Sequence, residues 1–175
     1  GFYNELCKFK ILSAYALRLL ILTATRTKEV IESQFDEFDL QKKIWTIPAE
    51  KMKVRKVHKV PLSNEAISII ELMRKKHNHE YVFTNPATGR HISNGAMLIF
   101  LKKQFPNLKI TVHGFRSSFR EWAEEIGQYQ HNAIEFCLAH ELPNKVEKAY
   151  LRSDLIDART IIMNDWEKYL ISSLS

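Results

Sequence analysis

Cysteine is scarce in this sequence, which argues against a disulfide framework and against a cysteine-based zinc site. The 175 residues include two cysteines, Cys7 and Cys137, and no CxxC pair. Cys137 lies in a mainly apolar run, where a small buried thiol is the favoured interpretation. Free thiols are typical of a reducing compartment, so we expect a cytoplasmic protein.

Long hydrophobic runs and metal-ligand motifs are missing too. The longest apolar run, residues 14–24, is interrupted by Arg18 and is shorter than the roughly 20 residues that cross a bilayer. No HExxH motif is present, and acidic residues do not cluster at metal-ligand spacing. The sequence therefore predicts no membrane association, no metal and no cofactor.

The charge balance is basic. The chain has 26 lysines and arginines against 20 aspartates and glutamates, which gives a net charge of +6. A basic surface suits a polyanion such as nucleic acid or an acidic membrane surface. Hydrophobic residues make up 45% of the chain and are spread over its length, which is enough for a globular core. We predict one domain over residues 1–175.

Apolar periodicity predicts a mainly helical domain. Helices are expected over residues 5–23, 25–34, 64–73 and 93–103, and from 111 almost to the end of the chain. In the last region a single buried face would comprise Phe115, Phe119, Trp122 and Ile126. Two β-prone runs, 44–47 and 57–60, flank a basic hairpin (residues 50–56) and predict a small antiparallel sheet. The expected fold class is α+β, mostly α-helical.

Two arginines stand where a helix could present them to an anion. His113 and Arg116 are three residues apart, so on a helix they would be neighbours and face away from the apolar side. Arg26 follows an apolar helix, at a helix start where a guanidinium could bind phosphate oxygens bidentately. Taken singly, each pattern is more typical of a solvated surface, with Arg26 paired to Glu29 or Glu32.

A lysine, a histidine and a tyrosine complete the candidate chemistry. Lys53 lies in the basic hairpin, where a flexible amine could protonate a leaving oxygen. His140 ends an apolar run, and Tyr150 follows it shortly afterwards. A tyrosine there could pack against the last helix, or its hydroxyl could be a nucleophile activated by a base and nearby cations.

The order of these residues resembles the active-site signature of the tyrosine recombinases, the phage-integrase family. The order is Arg, Lys on a β-hairpin, His-x-x-Arg, His and then Tyr. The flanking segments LTATRTKEV, WTIPAEKMK, LAH and AYLRSD are similar to those of integrases from satellite prophages and genomic islands. The resemblance spans about residues 19–170 and departs from the commoner pattern at Ala24 and Thr25, just before the first arginine.

This resemblance implies the DNA breaking-rejoining fold, with a helical catalytic domain and a small antiparallel sheet. The N-terminal DNA-binding domain of the full-length protein is expected to be absent from these residues. Tyr150 would attack the scissile phosphate and give a 3′-phosphotyrosine with a free 5′-hydroxyl. Lys53 would protonate the departing oxygen, and His113 would assist removal of the tyrosine proton. Strand exchange and religation would follow without ATP or a metal.

The remaining catalytic roles are also implied by the resemblance. Arg26 and Arg116 would hold the non-bridging phosphate oxygens, and His140 would donate a further hydrogen bond there. Glu29 would support the site.

We expect double-stranded DNA attachment sites as the partner. The resemblance implies a homotetramer on DNA, with the isolated domain a monomer, in the cytoplasm of a bacterium that carries a prophage or genomic island. Candidate phosphate contacts are Lys51, Arg55, Lys56, Lys59, Arg90, His91 and Arg120. For each of them a solvated surface position is an equal alternative, because base contacts cannot be read from sequence.

Three other functions deserve comparison. A type IB topoisomerase shares this chemistry but relaxes supercoils as a monomer. A DNA-binding module with lost activity would show a broken set of catalytic positions, and here all six are filled. A zinc hydrolase would have to use His77, His79, His113 or His140, whose spacing does not match a known zinc motif.

Overall fold

The computed structural model describes residues 1–142 and 154–172. The described part contains eight α-helices: α1 (Phe2–Leu6), α2 (Leu12–Thr23), α3 (Thr27–Ile31), α4 (Asn64–Lys76), α5 (Ala96–Gln104), α6 (Gly114–Trp122), α7 (His131–Cys137) and α8 (Ile156–Ser172). Its one sheet contains β1 (Phe38–Asp39), β2 (Ile44–Ile47) and β3 (His58–Pro61). The predicted α+β, mostly helical fold class is confirmed.

Helix α2 forms the centre of the core. All of its residues from 14 to 23 are buried, because α1, α3, α4, α5 and α8 pack around it. A helix that is apolar on every side requires such enclosure. The single charge that interrupts it, Arg18, is paired at 2.9 Å with Glu65 of α4. The interrupted apolar run is thus a core helix, and none of the described helices combines the length and hydrophobicity that a bilayer crossing requires.

The predicted helix over 5–23 is wrong in one respect, because the chain bends between α1 and α2. Helix α1 ends at Leu6, and Ile11 is extended where α2 begins. In the connection, Phe9 packs its ring against Phe100 and Phe105, with centroid distances of 5.2 and 5.7 Å. Phe100 and Phe105 are distant from Phe9 in the sequence. The apolar periodicity of residues 5–23 therefore gave no sign of the bend.

The predicted antiparallel sheet is confirmed. The strand order is β1-β2-β3, and in the register of β2 and β3 Trp45 pairs with Val60 and Ile47 pairs with His58. Trp45 and Ile47 are fully buried, as the alternation of a half-buried strand requires. Between the two strands, the basic hairpin contains the 3₁₀ turn Ala49–Lys51 and is held to the core by buried Met52.

The region after Thr111 is less continuous than predicted. Helix α6 ends at Trp122, a π-helical turn follows over Ala123–Gly127, and Gln128 then adopts φ 53° before α7. The wider π turn rotates later side chains away from the α6 face. Ile126 is therefore 62% exposed instead of buried with Trp122.

Helix α8 closes the core. Its buried Trp166 donates from Nε1 to the Ile21 carbonyl at 2.8 Å and packs 5.1 Å from the Trp122 ring. Glu167 accepts a hydrogen bond at 2.6 Å from the backbone N–H of Glu65, at the start of α4. Helix α8 thus joins the beginning of α4 to the centre of the domain. The candidate site lies at the turns that follow α2 and α7.

Candidate active site

Arg26 is presented by a tight turn at the end of α2. Ala24 has φ 53°, a left-handed conformation that a residue with a side chain adopts at some cost. The chain then re-enters a helix with Arg26 as the N-cap residue of α3, and the Arg26 backbone N–H donates to Glu29 Oε1 at 3.0 Å. Glu29 is buried, and its other oxygen lies 3.5 Å from Arg26 Nη1. Glu29 therefore fixes both the backbone and the guanidinium of Arg26, and its supporting role in the site stays a prediction.

Arg116 occupies a different position from the one its helical spacing predicted. We expected it on a solvated face beside His113, but it is 6% exposed whereas His113, the N-cap residue of α6, is exposed. The cause is that turns from distant parts of the chain cover this side of α6. Nη1 donates to the Ala24 carbonyl at 2.5 Å and Nη2 donates to the Leu138 carbonyl at 2.8 Å.

These two hydrogen bonds bring together three of the predicted site residues, Arg26, Arg116 and His140. The Ala24 carbonyl belongs to the turn that presents Arg26, and the Leu138 carbonyl belongs to the turn that presents His140. Burial, together with the charge of Arg26, lowers the pKa of Arg116 to about 10, so the guanidinium remains charged at neutral pH. Arg116 is thus a buried cation that links two turns and is close enough to Arg26 to be influenced by its charge.

Glu135 contacts both the backbone and the ring of His140. Its backbone N–H donates to the Glu135 carbonyl at 2.9 Å, and its ring Nδ1 lies 2.9 Å from Glu135 Oε2. The preceding Ala139 has φ 57°, which turns the chain sharply after α7. Burial lowers the pKa of His140, and the nearby charges of Arg116, Arg120 and Arg26 lower it further. The ring therefore belongs to the same electrostatic environment as the two arginines.

Lys53 shares a cleft with Arg26. An open cleft of about 400 Å³, here called the hairpin cleft, lies between the start of α3 and the basic hairpin. It is lined by Arg26, Lys28, Glu29, Glu50, Lys51, Met52, Lys53 and Arg55. Lys53 is exposed in it, next to buried Met52, which fixes the base of the hairpin. The amine can therefore approach a ligand that Arg26 holds.

The candidate DNA contacts differ in how far their charges are already satisfied within the fold. Lys51 forms an ion pair with Glu37 and donates to the Glu32 carbonyl at 2.8 Å. Arg120 is paired with both Glu124 and Glu135.

The other candidates lie nearer to solvent. Lys56 is exposed and pairs with Glu141 at 2.8 Å. Arg55, Lys59 and Arg90 are exposed, and the half-buried His91 ring lies 2.7 Å from the Ile92 carbonyl. Contact of these side chains with DNA remains a prediction.

Two residues near the site were missed by the sequence reasoning. Glu135 interrupts the apolar run around Cys137, and this lone carboxylate was the available signal. His58, on β3, is buried, and burial with the charges of Arg159, Arg116 and Arg26 lowers its pKa to about 3. A histidine at an inward-facing strand position beside Val60 was the corresponding signal.

The predicted nucleophile, Tyr150, lies outside the described residues. The zinc alternative can be examined in the described part of the chain. His77 uses both ring nitrogens, since Nε2 lies 3.0 Å from the Val82 carbonyl and Nδ1 accepts from the His79 N–H at 3.1 Å. Among the described residues, the one group spaced to hold a metal ion is Glu124, His131 and Glu135, and it contains none of the four histidines that the alternative requires.

The comparisons with known proteins show the family to which this chain belongs. Residues 2–155 match the model of the phage integrase family, so the chain belongs to that family. The family predicted from the order of the motifs is therefore confirmed.

Individual relatives agree with this assignment. The chain is 34% identical to prophage integrase IntA of Escherichia coli strain K12, over 83% of this chain and 36% of that protein. It is 32% identical to prophage integrase IntZ of the same strain, over 91% of this chain and 40% of the relative. It is 29% identical to the integrase of Enterobacteria phage P4, over 92% of this chain and 40% of that protein. The chain thus spans about two fifths of the length of these relatives, and no solved structure matches it significantly.

Proposed function

We propose that this chain is the catalytic domain of a site-specific DNA recombinase, an integrase that joins two double-stranded attachment sites. The observation that carries the proposal is the linkage through Arg116. Its two hydrogen bonds hold the turns of Arg26 and His140 on either side of one buried guanidinium. Three side chains that match the family signature are thereby gathered at one point, although they are 90 and 24 residues apart in the chain.

The proposed reaction starts with Tyr150. Its hydroxyl oxygen attacks the scissile phosphorus, the bond to the 5′ oxygen breaks, and a 3′-phosphotyrosine and a free 5′-hydroxyl result. His113, exposed at the start of α6, takes the tyrosine proton. One phosphodiester replaces another, so the energy of the broken bond is kept for religation, and the proposed reaction needs neither ATP nor a metal.

The cationic side chains act on the transition state. Negative charge grows on the non-bridging oxygens, where Arg26 and Arg116 donate, and His140 adds a third donor. Donors that are fixed in advance stabilise such charge strongly, and loss of one typically costs about 100- to 1000-fold in rate. Glu29 limits the motion of Arg26, because its two oxygens contact the Arg26 backbone N–H and guanidinium.

Lys53 completes the cycle on the leaving-group side. Its exposed position in the hairpin cleft allows the amine to protonate the 5′ oxygen of a strand whose phosphate Arg26 holds. In religation the same amine accepts the proton from the attacking 5′-hydroxyl. The exposed lysines and arginines of the basic hairpin then contact the backbone phosphates of the bound DNA.

The protein is proposed to act as a homotetramer on DNA in a bacterial cytoplasm, with the isolated domain a monomer. A type IB topoisomerase would relax a supercoiled plasmid without paired sites. The names of the relatives favour the integrase function over the topoisomerase function, because all three relatives described above are called integrases.

A nicked duplex that carries the attachment site tests the function. The nick lets a short 5′-hydroxyl strand diffuse away after attack, which traps the covalent adduct. Wild-type protein should give an adduct that denaturing electrophoresis resolves, and Tyr150→Phe should abolish it. Tyr169→Phe is the matched control, because this tyrosine stacks on Trp166 at the far end of α8 and should leave the yield unchanged. An adduct that survives Tyr150→Phe would overturn the proposal.

A further inference from the structure

Glu135 makes contacts that differ from those of the other acidic residues near the site. It lies on α7, and its side chain is 12% exposed. One carboxylate oxygen lies 2.9 Å from His140 Nδ1, and the other pairs with Arg120 of α6. Its own carbonyl also accepts the backbone N–H of His140 at 2.9 Å. Both the main chain and the ring of His140 are therefore fixed by this one residue.

We propose that Glu135 is a positioning residue for His140, which keeps a proton on Nδ1 and leaves Nε2 to meet the phosphate. The inference rests on the proposed function, since it assigns a role within that same site. A carboxylate oxygen accepts hydrogen bonds, so a contact of 2.9 Å requires the proton to be on Nδ1. The other nitrogen then points to the opposite side of the ring.

This arrangement has a chemical consequence. A neutral ring protonated on Nδ1 has only a lone pair on Nε2, so His140 must gain a second proton before it can donate to a phosphate oxygen. In the described part of the chain, charged groups close to the ring include Glu135 on α7, Arg116 and Arg120 on α6, and Arg26 before α3. The three arginines oppose that second proton. The Glu135 carboxylate and the growing charge of the phosphate favour it.

Arg120 holds the carboxylate in place. It pairs with Glu135 and, from Nε, with Glu124 Oε1 at 3.4 Å. Glu124 thus shares the arginine with Glu135 but has no contact with His140 among the described residues. Glu124→Gln is therefore a matched control, because it removes one partner of Arg120 and leaves the ring of His140 unaltered.

The first test observes the ring directly in the free protein. Nitrogen-15 NMR of the histidine side chains distinguishes the two neutral tautomers. We expect His140 of the wild type and of Glu124→Gln to be protonated on Nδ1, and Glu135→Ala to shift the population toward Nε2. A wild-type ring protonated on Nε2 would overturn the inference, whatever the activity of the protein.

The second test measures formation of the covalent adduct on the nicked duplex. Glu135→Gln retains an amide oxygen as acceptor but loses the charge that favours a doubly protonated ring. We expect adduct formation to slow by about 10- to 100-fold, in line with the loss of groups that orient a catalytic ligand. The decline in rate with rising pH should also begin at lower pH than in the wild type. Thermal melting identifies any loss of folding.

The outcomes separate the two proposals. If Glu135→Gln matches Glu124→Gln in both rate and pH profile, the role of Glu135 is refuted while the recombinase function stands. If the wild type forms no Tyr150-dependent adduct, the recombinase function is refuted, and the NMR result still decides whether Glu135 sets the tautomer.

Discussion

Arg116→Lys tests whether one guanidinium holds the two halves of the site together. The arginine spans the Ala24 and Leu138 carbonyls with two different nitrogens, at 2.5 and 2.8 Å. An ammonium has a single nitrogen and cannot reach both acceptors in the same way. One buried carbonyl then loses its donor, which costs about 1–3 kcal/mol. We expect the free energy of unfolding to fall by about 2 kcal/mol, and the rate of DNA cleavage to fall about 100- to 1000-fold.

Urea denaturation and single-turnover adduct formation measure these two quantities. The control is Arg74→Lys, since Arg74 is exposed and donates to one carbonyl, that of Phe35, at 3.4 Å. A surface change of this kind should alter stability by less than about 0.5 kcal/mol and leave cleavage unchanged. If Arg116→Lys were indistinguishable from Arg74→Lys in both measurements, the linkage between the two turns would not hold the site together.

Three further perturbations test other parts of the account. Lys53→Ala should slow cleavage at least 100-fold. A substrate with sulfur as the 5′ leaving atom should restore the rate of this variant, because a thiolate leaves without a proton. Lys28→Ala, which alters a lysine in the same cleft, should need no such rescue. The pKa of buried His58 is lowered to about 3, so below about pH 6.5 the unfolded chain binds a proton that the folded state excludes. The free energy of unfolding should therefore fall by roughly 1.4 kcal/mol for each pH unit as the pH is lowered from about 6.5 to about 3. His58→Gln should remove that slope in acid denaturation, whereas exposed His79→Gln should keep it. Glu167→Ala removes the acceptor of the Glu65 backbone N–H at the start of α4. The free energy of unfolding, measured by urea denaturation, should fall by about 1 kcal/mol. No change would show that water replaces the Glu167 carboxylate as the acceptor.

Much of the fold was predictable because its elements follow local patterns. The alternation in residues 44–47 predicted β2 with its buried Trp45 and Ile47, and the apolar run before Arg26 predicted α2. The catalytic positions were proposed from their order along the chain, which needs no knowledge of their distances. Both kinds of signal are present in short segments, so sequence reasoning could use them.

The errors arose where distant segments meet or where a helix departs from regular geometry. Helical spacing placed Arg116 on a solvated face, but its partners Ala24 and Leu138 are 92 and 22 residues away, so no local pattern reports them. Ile126 was assigned to the buried face because a regular helix was assumed, and the π turn over Ala123–Gly127 rotated it to solvent. The role of Glu135 was hidden because its contact with Arg120 depends on how α6 packs near α7.

The central claim is that a tyrosine of this chain becomes covalently joined to DNA at the site that Arg26, Arg116 and His140 form. The most direct test is proteolysis of the trapped adduct followed by mass spectrometry of the DNA-linked peptide. We predict that the modified peptide contains Tyr150, linked through its phenolic oxygen to the 3′ phosphate of the cleaved strand. Attachment through another residue, or to a 5′ phosphate, would contradict the account.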